Sequence, residues 1–154
     1  MHADSRPKPP RLAVRALILR DDRLLLVNAF PAGKSDLMCA PGGGVEPHVS
    51  LPDNLRREVH EETGLEIAVG PVCLVNEFHA PGRDFHQVDI YFRCSVVAGD
   101  LDPDWRDPEA VVTDRRWVTA AEMARLRVKP DSLAAVAFGG AGGITYDPLE
   151  PLFV

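Results

Sequence analysis

The stretch GGGVEPHVSLPDNLRREVHEETGL, residues 42–65, decides how this chain folds. Its second half predicts a helix over residues 50–63. Ser50 suits the N-cap position with Asp53 three residues later, an aspartate variant of the capping box. Gly64 suits the left-handed residue that commonly ends a helix. Three glycines stand before the helix and let the backbone turn tightly, so the stretch predicts a tight loop leading into a helix.

The predicted helix carries acidic side chains on the same side as its apolar ones. At about 100° per residue, the apolar stripe is formed by Leu51, Leu55 and Val59. Glu58 and Glu62 fall on or beside that stripe and Glu61 lies at its margin. An ordinary amphipathic helix turns its carboxylates outward. The opposite face is predicted to carry Arg56, His60 and Thr63.

Carboxylates that cluster against the protein body repel one another and are costly to desolvate unless something compensates them. A hard divalent cation does so, and oxygen ligands are those that Mg²⁺ or Mn²⁺ prefers. The alternative is a solvated acidic helix, but the helix dipole disfavours negative charge near a C-terminal end. Arg57, just before the cluster, is a candidate to hold a carboxylate by a bidentate pair, or else a plain surface arginine.

Residues 43–65 resemble the Nudix box, whose pattern is G-x5-E-x7-R-E-U-x-E-E-x-G-U with U an aliphatic residue. The matching residues are Gly43, Arg57, Glu58, Val59, Glu61, Glu62, Gly64 and Leu65. The later order of a short strand over 116–118 and a short helix also resembles the Nudix hydrolase superfamily. The resemblance implies an α/β fold, a Nudix-type α/β/α sandwich with a mixed central sheet.

The same resemblance implies divalent-metal-dependent hydrolysis of the diphosphate linkage of a nucleoside diphosphate derivative, of the ADP-ribose or nucleotide-sugar type. The product would be a nucleoside monophosphate, and the partner a small-molecule nucleotide. Mg²⁺ is the implied cofactor, with Mn²⁺ as an alternative. The implied metal ligands are Gly43, through its carbonyl, and Glu58, Glu61 and Glu62.

The implied catalytic residues are Arg57, Glu58, Glu61 and Glu109. The general base stays open between the helix glutamates and a carboxylate of the long acidic loop over 100–114. In that loop Glu109 is the candidate, and Asp107 and Asp114 are alternatives. Loops of this length without structure of their own tend to be functional or disordered, so a plain solvent-exposed loop is the other interpretation.

One position departs from the Nudix pattern. The first glutamate of the pattern falls at position 49, where this chain has Val49, and His48 replaces the glycine usual before it. The loss predicts a reduced metal set or a compensating acid, for which Glu46 is one candidate. His48 could bind a softer metal, but a histidine on a surface loop is the favoured interpretation.

Two other functions stay open. The first is a housecleaning pyrophosphohydrolase acting on nucleoside triphosphates. The second is a catalytically weakened nucleotide-binding module, which Val49 favours and the three retained glutamates of the helix disfavour.

Candidate substrate contacts come from strands and from one loop. They are Arg15, Arg83, Phe85 and Arg93. Arg15 and Arg93 lie in predicted strands, so each can face a cleft or solvent. Arg83 and Phe85 lie near a predicted hairpin, where a base or sugar could stack or form hydrogen bonds. Trp105 could stack on a base or simply pack against the protein.

The remaining elements follow from hydrophobic periodicity and turn residues. Predicted strands cover 12–19, 24–27, 37–40, 66–78, 86–97 and 116–118, and predicted helices cover 120–126 and 131–138. Asp21-Asp22 supplies the turn of the first hairpin, and the strands 66–78 and 86–97 form an antiparallel pair. The tail over 143–154 is apolar enough to pack on the body.

The 154 residues suit a single domain, with 45% hydrophobic and 26% charged residues. We expect a disordered lead over 1–10 and one Nudix hydrolase domain over 11–154. A net charge of −6 without basic runs disfavours nucleic acid as a partner. No apolar run approaches the ~20 residues of a membrane span, and no signal-peptide core is evident, so a cytoplasmic enzyme is expected.

The cysteines Cys39, Cys73 and Cys94 are odd in number and form no C-x-x-C pair. Free thiols in a reducing compartment are therefore favoured over a disulfide or a metal site. Nothing in the sequence decides between a monomer and a homodimer.

Overall fold

A computed structural model describes residues 6–140 and 142–152. Within them the strands are β1 (Arg11–Arg20), β2 (Arg23–Asn28), β3 (Met38–Cys39), β4 (Gly42–Gly44), β5 (Glu66–Ala80), β6 (Phe85–Ala98), β7 (Arg115–Val118) and β8 (Thr145–Pro151). The α-helices are α1 (Leu51–Thr63), α2 (Ala120–Met123) and α3 (Leu133–Phe138), and a single 3-10 turn spans Pro81–Arg83.

The strands form one mixed sheet of eight strands. Its main order is β3-β2-β1-β6-β5-β8, with β4 also paired to β1 and β7 to β2. The pairs β1–β6 and β5–β8 are parallel, and the other pairs are antiparallel. The parallel β1–β6 pair joins the two halves of the sheet, so residues more than seventy positions apart in sequence become neighbours.

Both predicted hairpins are confirmed. Asp21 and Asp22 join β1 to β2 with φ angles of 53° and 58°. Two consecutive left-handed residues are what a tight two-residue hairpin turn requires, because they match the twist of the strands. β5 and β6 form the predicted antiparallel pair, in which Asn76 lies opposite Asp89.

The sheet is covered on both faces, which confirms the predicted α/β/α sandwich. On one face, Leu55 and Val59 of α1 pack in a cluster with Val14, Ala16 and Ile18 of β1. On the other face, Leu17 packs with residues of α2 and α3, among them Met123, Leu133 and Val136. This alternation along β1 is expected for a strand buried on both faces.

Three sequence predictions need correction. The predicted helices 120–126 and 131–138 are shorter, because regular α-helix covers only α2 and α3. In the described part of the tail, residues 143–152, three apolar side chains are exposed: β8 pairs with β5 as an edge strand, and Ile144, Tyr146 and Leu149 are 64%, 58% and 44% exposed. Backbone pairing, rather than apolar packing, therefore holds this segment.

Parts of both chain ends lie outside the described residues, and the three cysteines lie within them. Residues 1–5 of the predicted lead and residues 153–154 of the tail lie outside the described residues, so the disordered lead stays a prediction. The thiols Cys39, Cys73 and Cys94 are free, as predicted. No helix in the described ranges is long and apolar enough to span a membrane.

Candidate active site

Helix α1 begins and ends where the sequence predicts. The Ser50 Oγ accepts a hydrogen bond from the backbone N–H of Asp53 at 3.2 Å. Gly64 ends the helix with φ 76°, and its N–H donates to the His60 carbonyl at 2.8 Å. Thr63 was predicted on the opposite face but is fully buried, because it lies four residues after Val59 on the same face of the helix. Its hydroxyl donates to the Val59 carbonyl at 2.6 Å.

Asn54 ties the glycine-containing β4 and its following loop to α1, and the sequence analysis did not single it out. Its side chain is fully buried. Its Nδ2 donates to the Gly44 carbonyl at 3.0 Å, and its Oδ1 accepts from the Glu46 N–H at 3.0 Å. An asparagine inside a helix is unfavourable unless it has such partners. Its position within the predicted helix could therefore have indicated this role.

Gly43 lies directly against the carboxylate of Glu58. A Cβ placed on Gly43 would lie 2.6 Å from Glu58 Oε2, so a side chain there would displace this carboxylate. Glu58 itself is only 8% exposed, and burial raises its pKa while Arg57 opposes that rise. The glycine therefore has a steric reason to stand at the first position of the predicted motif.

Glu62 is a half-buried carboxylate beside the glycines that precede α1. Its Oε1 accepts a hydrogen bond from the Gly42 N–H at 3.0 Å. Burial raises the pKa of Glu62 to about 8, although the charge of Arg15 and this hydrogen bond lower it. For an acid whose pKa is raised in this way, a nearby cation would favour the charged form.

Arg57 contacts three carboxylates. Its Nη2 lies 3.2 Å from Glu58 Oε1 and 3.4 Å from Glu46 Oε1, and its Nη1 lies 3.2 Å from Glu61 Oε1. Arg57 thus bridges Glu58 and Glu61 with different nitrogens, rather than holding one carboxylate by the predicted bidentate pair. Glu46, the candidate acid for the loss at Val49, is thus brought beside the carboxylates of α1.

The long loop over 100–114 brings Glu109 to the same place. A cleft of about 440 Å³ is lined by Glu46, Glu58, Glu62 and Glu109 together with Arg11, Arg15 and Arg57. Asp107, one alternative base, is used internally: it accepts hydrogen bonds from the N–H groups of Glu109, Val111 and Val112 at 3.0, 3.2 and 2.9 Å. Asp114, the other alternative, pairs with Arg116 at 2.6 Å.

Trp105 packs on the C-terminal end of α1 and does not line the cleft. Its indole N–H donates to the Glu61 carbonyl at 2.9 Å, and its ring meets the His60 ring edge-on at 5.3 Å. Of the two interpretations of Trp105, the packed one is therefore observed. The contact anchors the loop that carries Glu109 to the helix that carries the other glutamates.

His48 lies on the surface, which was the favoured interpretation of this histidine. It is exposed, has a left-handed φ of 68°, and does not line the cleft. The position where many Nudix proteins have glycine thus keeps the backbone conformation that glycine adopts most easily. Its imidazole is outside the carboxylate group.

The donor atoms in the cleft fit a hard divalent cation. Across 6–140 and 142–152, no three Asp, Glu, His or Cys side chains already converge as a metal-ligand set. The cleft nevertheless presents carboxylate oxygens from Glu58, Glu62 and Glu109, and oxygen donors are those that Mg²⁺ prefers. Rotation of Glu58 and Glu61 away from Arg57 would release further oxygens, so the residues fit the implied ion.

The predicted substrate contacts separate into two groups. Arg15 lines both the cleft and a second cavity, and its Nη1 donates to the Ala40 carbonyl at 3.2 Å. Arg83 and Phe85 line that second cavity. Arg93 lies apart, because its Nη2 donates to the carbonyls of Val136 and Gly140 at 2.9 and 3.0 Å, at the end of α3.

Arg11 is a residue that the sequence analysis missed. It lines the cleft and the second cavity, and its Nη1 donates to Gln87 Oε1 at 2.7 Å. Only the pairing of β1 with β6 brings these two residues together. Arg11 and Arg15 are four residues apart and share one face of the strand, so their spacing could have indicated that both line the same site.

A family model for the NUDIX domain matches residues 9–137. The chain belongs to the NUDIX domain family. The match contains α1, the glycines before it and the loop that carries Glu109. The box of this NUDIX chain keeps its arginine and its last three glutamates, with Val49 in place of the first.

Curated NUDIX relatives cover the same part of the chain. An ADP-ribose pyrophosphatase of Methanocaldococcus jannaschii is 32% identical over 94 residues, 60% of this chain and 54% of that protein. The human diphosphoinositol polyphosphate phosphohydrolase 3-alpha is 30% identical over 100 residues, 64% of this chain and 56% of that protein. The chain thus spans about half the length of these relatives.

A solved NUDIX structure supports the fold. The NUDIX hydrolase from Nitrosomonas europaea is similar with a TM-score of 0.69 and 24% identity, over 81% of this chain and 84% of that one.

Proposed function

We propose that this NUDIX chain is a divalent-metal-dependent pyrophosphohydrolase. It cleaves the diphosphate linkage of a nucleoside diphosphate derivative, of the ADP-ribose or nucleotide-sugar type, and releases a nucleoside monophosphate. The observation that carries the proposal is the cleft in which Glu58, Glu62 and Glu109 face Arg11 and Arg15. The name of the Methanocaldococcus jannaschii relative, an ADP-ribose pyrophosphatase, supports the substrate class.

In this proposal Mg²⁺, or alternatively Mn²⁺, is held by the carboxylates of Glu58, Glu61 and Glu62 and by the carbonyl of Gly43. When bound, such an ion neutralises charge on the diphosphate and lowers the pKa of bound water. Arg57 orients Glu58 and Glu61, since it contacts both. This neutralisation matters because the acidic side chains of the cleft would otherwise repel the anionic diphosphate.

The other side chains of the cleft bind substrate and move a proton. The guanidinium groups of Arg11 and Arg15 bind diphosphate oxygens, for which charge-assisted hydrogen bonds are suited. Glu109 accepts the proton of the attacking water as general base. Phosphoryl transfer depends mainly on positioning and electrostatics, so these roles need no covalent intermediate.

The test is a substrate panel with product analysis. ADP-ribose, nucleotide sugars and nucleoside triphosphates are each incubated with Mg²⁺ and with EDTA. We expect Mg²⁺-dependent release of nucleoside monophosphate, and a fall in kcat of about 100-fold or more in Glu62→Gln. His48→Gln, an exposed change outside the cleft, is the control with unchanged kcat.

Two outcomes contradict the proposal. Release of pyrophosphate from nucleoside triphosphates, without cleavage of ADP-ribose or nucleotide sugars, indicates the housecleaning alternative. Tight nucleotide binding without turnover indicates the binding module that Val49 favours.

A further inference from the structure

Beside the acidic cleft lies a second cavity of about 240 Å³, here called the side pocket. It is lined by Phe78, Phe85, Tyr91, Asn76, Gln87 and Asp89, among others. It shares Arg11 and Arg15 with the cleft. Its volume is below the ~300 Å³ at which pockets begin to enclose a whole small ligand, so it suits one end of an extended molecule.

The floor of the side pocket is polar although it is buried. Asn76, Gln87 and Asp89 are 2%, 2% and 3% exposed. They lie on the paired strands β5 and β6, where Asn76 is directly opposite Asp89 and Phe78 is directly opposite Gln87. Directly opposite residues of an antiparallel pair share one face of the sheet. A polar row thus crosses this sheet face, between Leu74 of β5 and the arginines of β1, Arg11 and Arg15.

Two of these three residues have partners. Gln87 Nε2 donates to Asp89 Oδ1 at 2.7 Å, and Gln87 Oε1 accepts from Arg11 Nη1 at 2.7 Å. Asp89 Oδ2 also lies 3.5 Å from Arg15 Nε. This chain of contacts holds both arginines at the boundary between the cleft and the side pocket.

Asn76 is different. Its buried Nδ2 makes no hydrogen bond to any residue that the structure describes. The next residues on the same side of β5 are Leu74 and Phe78, so a purely structural position here would suit an apolar side chain. Buried polar groups in proteins nearly always have a partner. An unpaired buried amide in a pocket wall points to a partner that arrives with a ligand.

We propose that the side pocket binds the nucleobase of the substrate, and that Asn76 determines which base is accepted. This inference rests on the proposed function. The rings of Phe78 and Phe85 both line the pocket, with their centroids 6.0 Å apart, and an aromatic lining suits a planar base. A base there places the diphosphate beside Arg11 and Arg15, on the way to the acidic cleft.

The proposed base is adenine, presented by the edge that carries N7 and N6. An asparagine amide has a donor and an acceptor side by side, and on that edge only adenine has an acceptor, N7, beside a donor, N6. A polyphosphorylated inositol fits less well, because the pocket also carries the carboxylates of Asp89 and Glu150 and faces the apolar rings. Lys129, which also lines the pocket, is already paired with Asp131.

Binding of AMP, GMP, CMP and UMP to the metal-free protein tests the pocket without catalysis. Titration calorimetry should show AMP bound about tenfold tighter than CMP or UMP, because on the corresponding edge cytosine has only a donor and uracil only an acceptor. Asn76→Leu should remove that ratio. It should also leave Tm unchanged or raise it, since the buried Nδ2 of Asn76 makes no hydrogen bond to a described residue.

Two control variants separate stacking and general effects from base selection. Phe85→Leu should weaken all four nucleotides together, because stacking tolerates any base. Val97→Thr, at a 62% exposed position of β6, should change none of them. Deaza analogues of AMP, each with one ring nitrogen replaced by C–H, test the wild-type protein and do not depend on a variant that folds.

Three results overturn the inference: equal affinity for all four nucleotides, an unchanged ratio in Asn76→Leu, or deaza analogues that all bind as tightly as AMP. Failure of the proposed function is separate. If the protein shows a clear base preference but hydrolyses no diphosphate derivative, the base-binding pocket is supported and the proposed reaction is contradicted. If it hydrolyses such derivatives without a base preference, only the assignment of the pocket is contradicted.

Discussion

At the scale of single residues, Glu62 links metal binding to pH. Its carboxyl has a pKa of about 8 in the metal-free fold, against an ordinary value of 4.5, because burial disfavours the charged form. Between pH 4.5 and about pH 8, the folded protein therefore keeps a proton on Glu62 that the unfolded chain has released. The stability that this proton contributes is fully present below pH 4.5 and is lost as pH rises through about 8.

A cation bound by Glu62 must displace that proton. We predict that Mg²⁺ affinity rises with pH, by up to about tenfold per unit below pH 8, and levels off above it. Calorimetric Mg²⁺ titrations from pH 6 to 9, in buffers of different ionisation enthalpy, measure both affinity and proton release. Glu62→Gln should abolish this proton release, and an affinity independent of pH in the wild type would contradict the assignment.

Gly43 supports a second residue-scale prediction. In Gly43→Ala the new Cβ falls 2.6 Å from Glu58 Oε2, so the carboxylate must move. A displacement of about 1 Å at a reacting centre can reduce kcat about 100-fold, and we expect a loss of that order. Gly82→Ala is the matched control, because a Cβ there meets no atom within 4 Å. Equal activity of both variants would show that Glu58 is not held by this contact.

At the scale of elements, the loop over 100–114 acts as one structural unit. It is anchored to α1 by the Trp105 indole N–H on the Glu61 carbonyl and by Arg115, whose Nε donates to the Glu62 carbonyl. Internally, Asp107 accepts three backbone hydrogen bonds. The acidic loop therefore has a defined shape that presents Glu109 to the cleft.

We predict that Asp107→Ala lowers kcat nearly as much as Glu109→Gln, by about 100-fold, because it releases the loop segment that positions the base. The double variant should lose little more than either single variant, since both changes remove one function. Asp104→Ala, an exposed change in the same loop, should keep wild-type kcat. Additive losses in the double variant would mean that Asp107 acts independently of Glu109.

At the scale of the whole molecule, Arg93 joins the sheet to α3. Its guanidinium donates to carbonyls at the end of that helix, where a cation is also favoured by the helix dipole. We predict that Arg93→Met lowers the free energy of unfolding by about 1 kcal/mol and leaves KM unchanged. Denaturant unfolding and steady-state kinetics measure the two effects. A raised KM with unchanged stability would return Arg93 to the substrate-binding residues.

Arg15 is the matched contrast on the neighbouring strand. It lies between the cleft and the side pocket, with Asp89 on one side and Glu62 near the other. Arg15→Met should therefore raise KM or lower kcat, whereas Arg93→Met should not. Both arginines lie on the same face of the sheet, and their positions along the paired strands separate them: Arg15 lies opposite Tyr91, and Arg93 lies opposite Leu17.

The sequence by itself determined helix α1, its caps, both hairpins and the family-level sandwich. These features depend on spacing within a few residues, and helical or strand periodicity places side chains on one face without reference to the rest of the chain. The positions of the helix carboxylates follow from the same rule. Thr63 follows it too, since it lies four residues after Val59 and is buried beside it, so the prediction that placed Thr63 on the opposite face was wrong.

The tertiary structure alone decided which distant residues meet. The parallel β1–β6 pair sets Arg11 beside Gln87, and the β5–β6 register sets Asn76 opposite Asp89. Strand order and register depend on how the whole sheet closes, and a shift of one residue would turn each side chain to the other face. The catalytic helix was therefore readable from local spacing, whereas the side pocket and the base it selects required the assembled sheet.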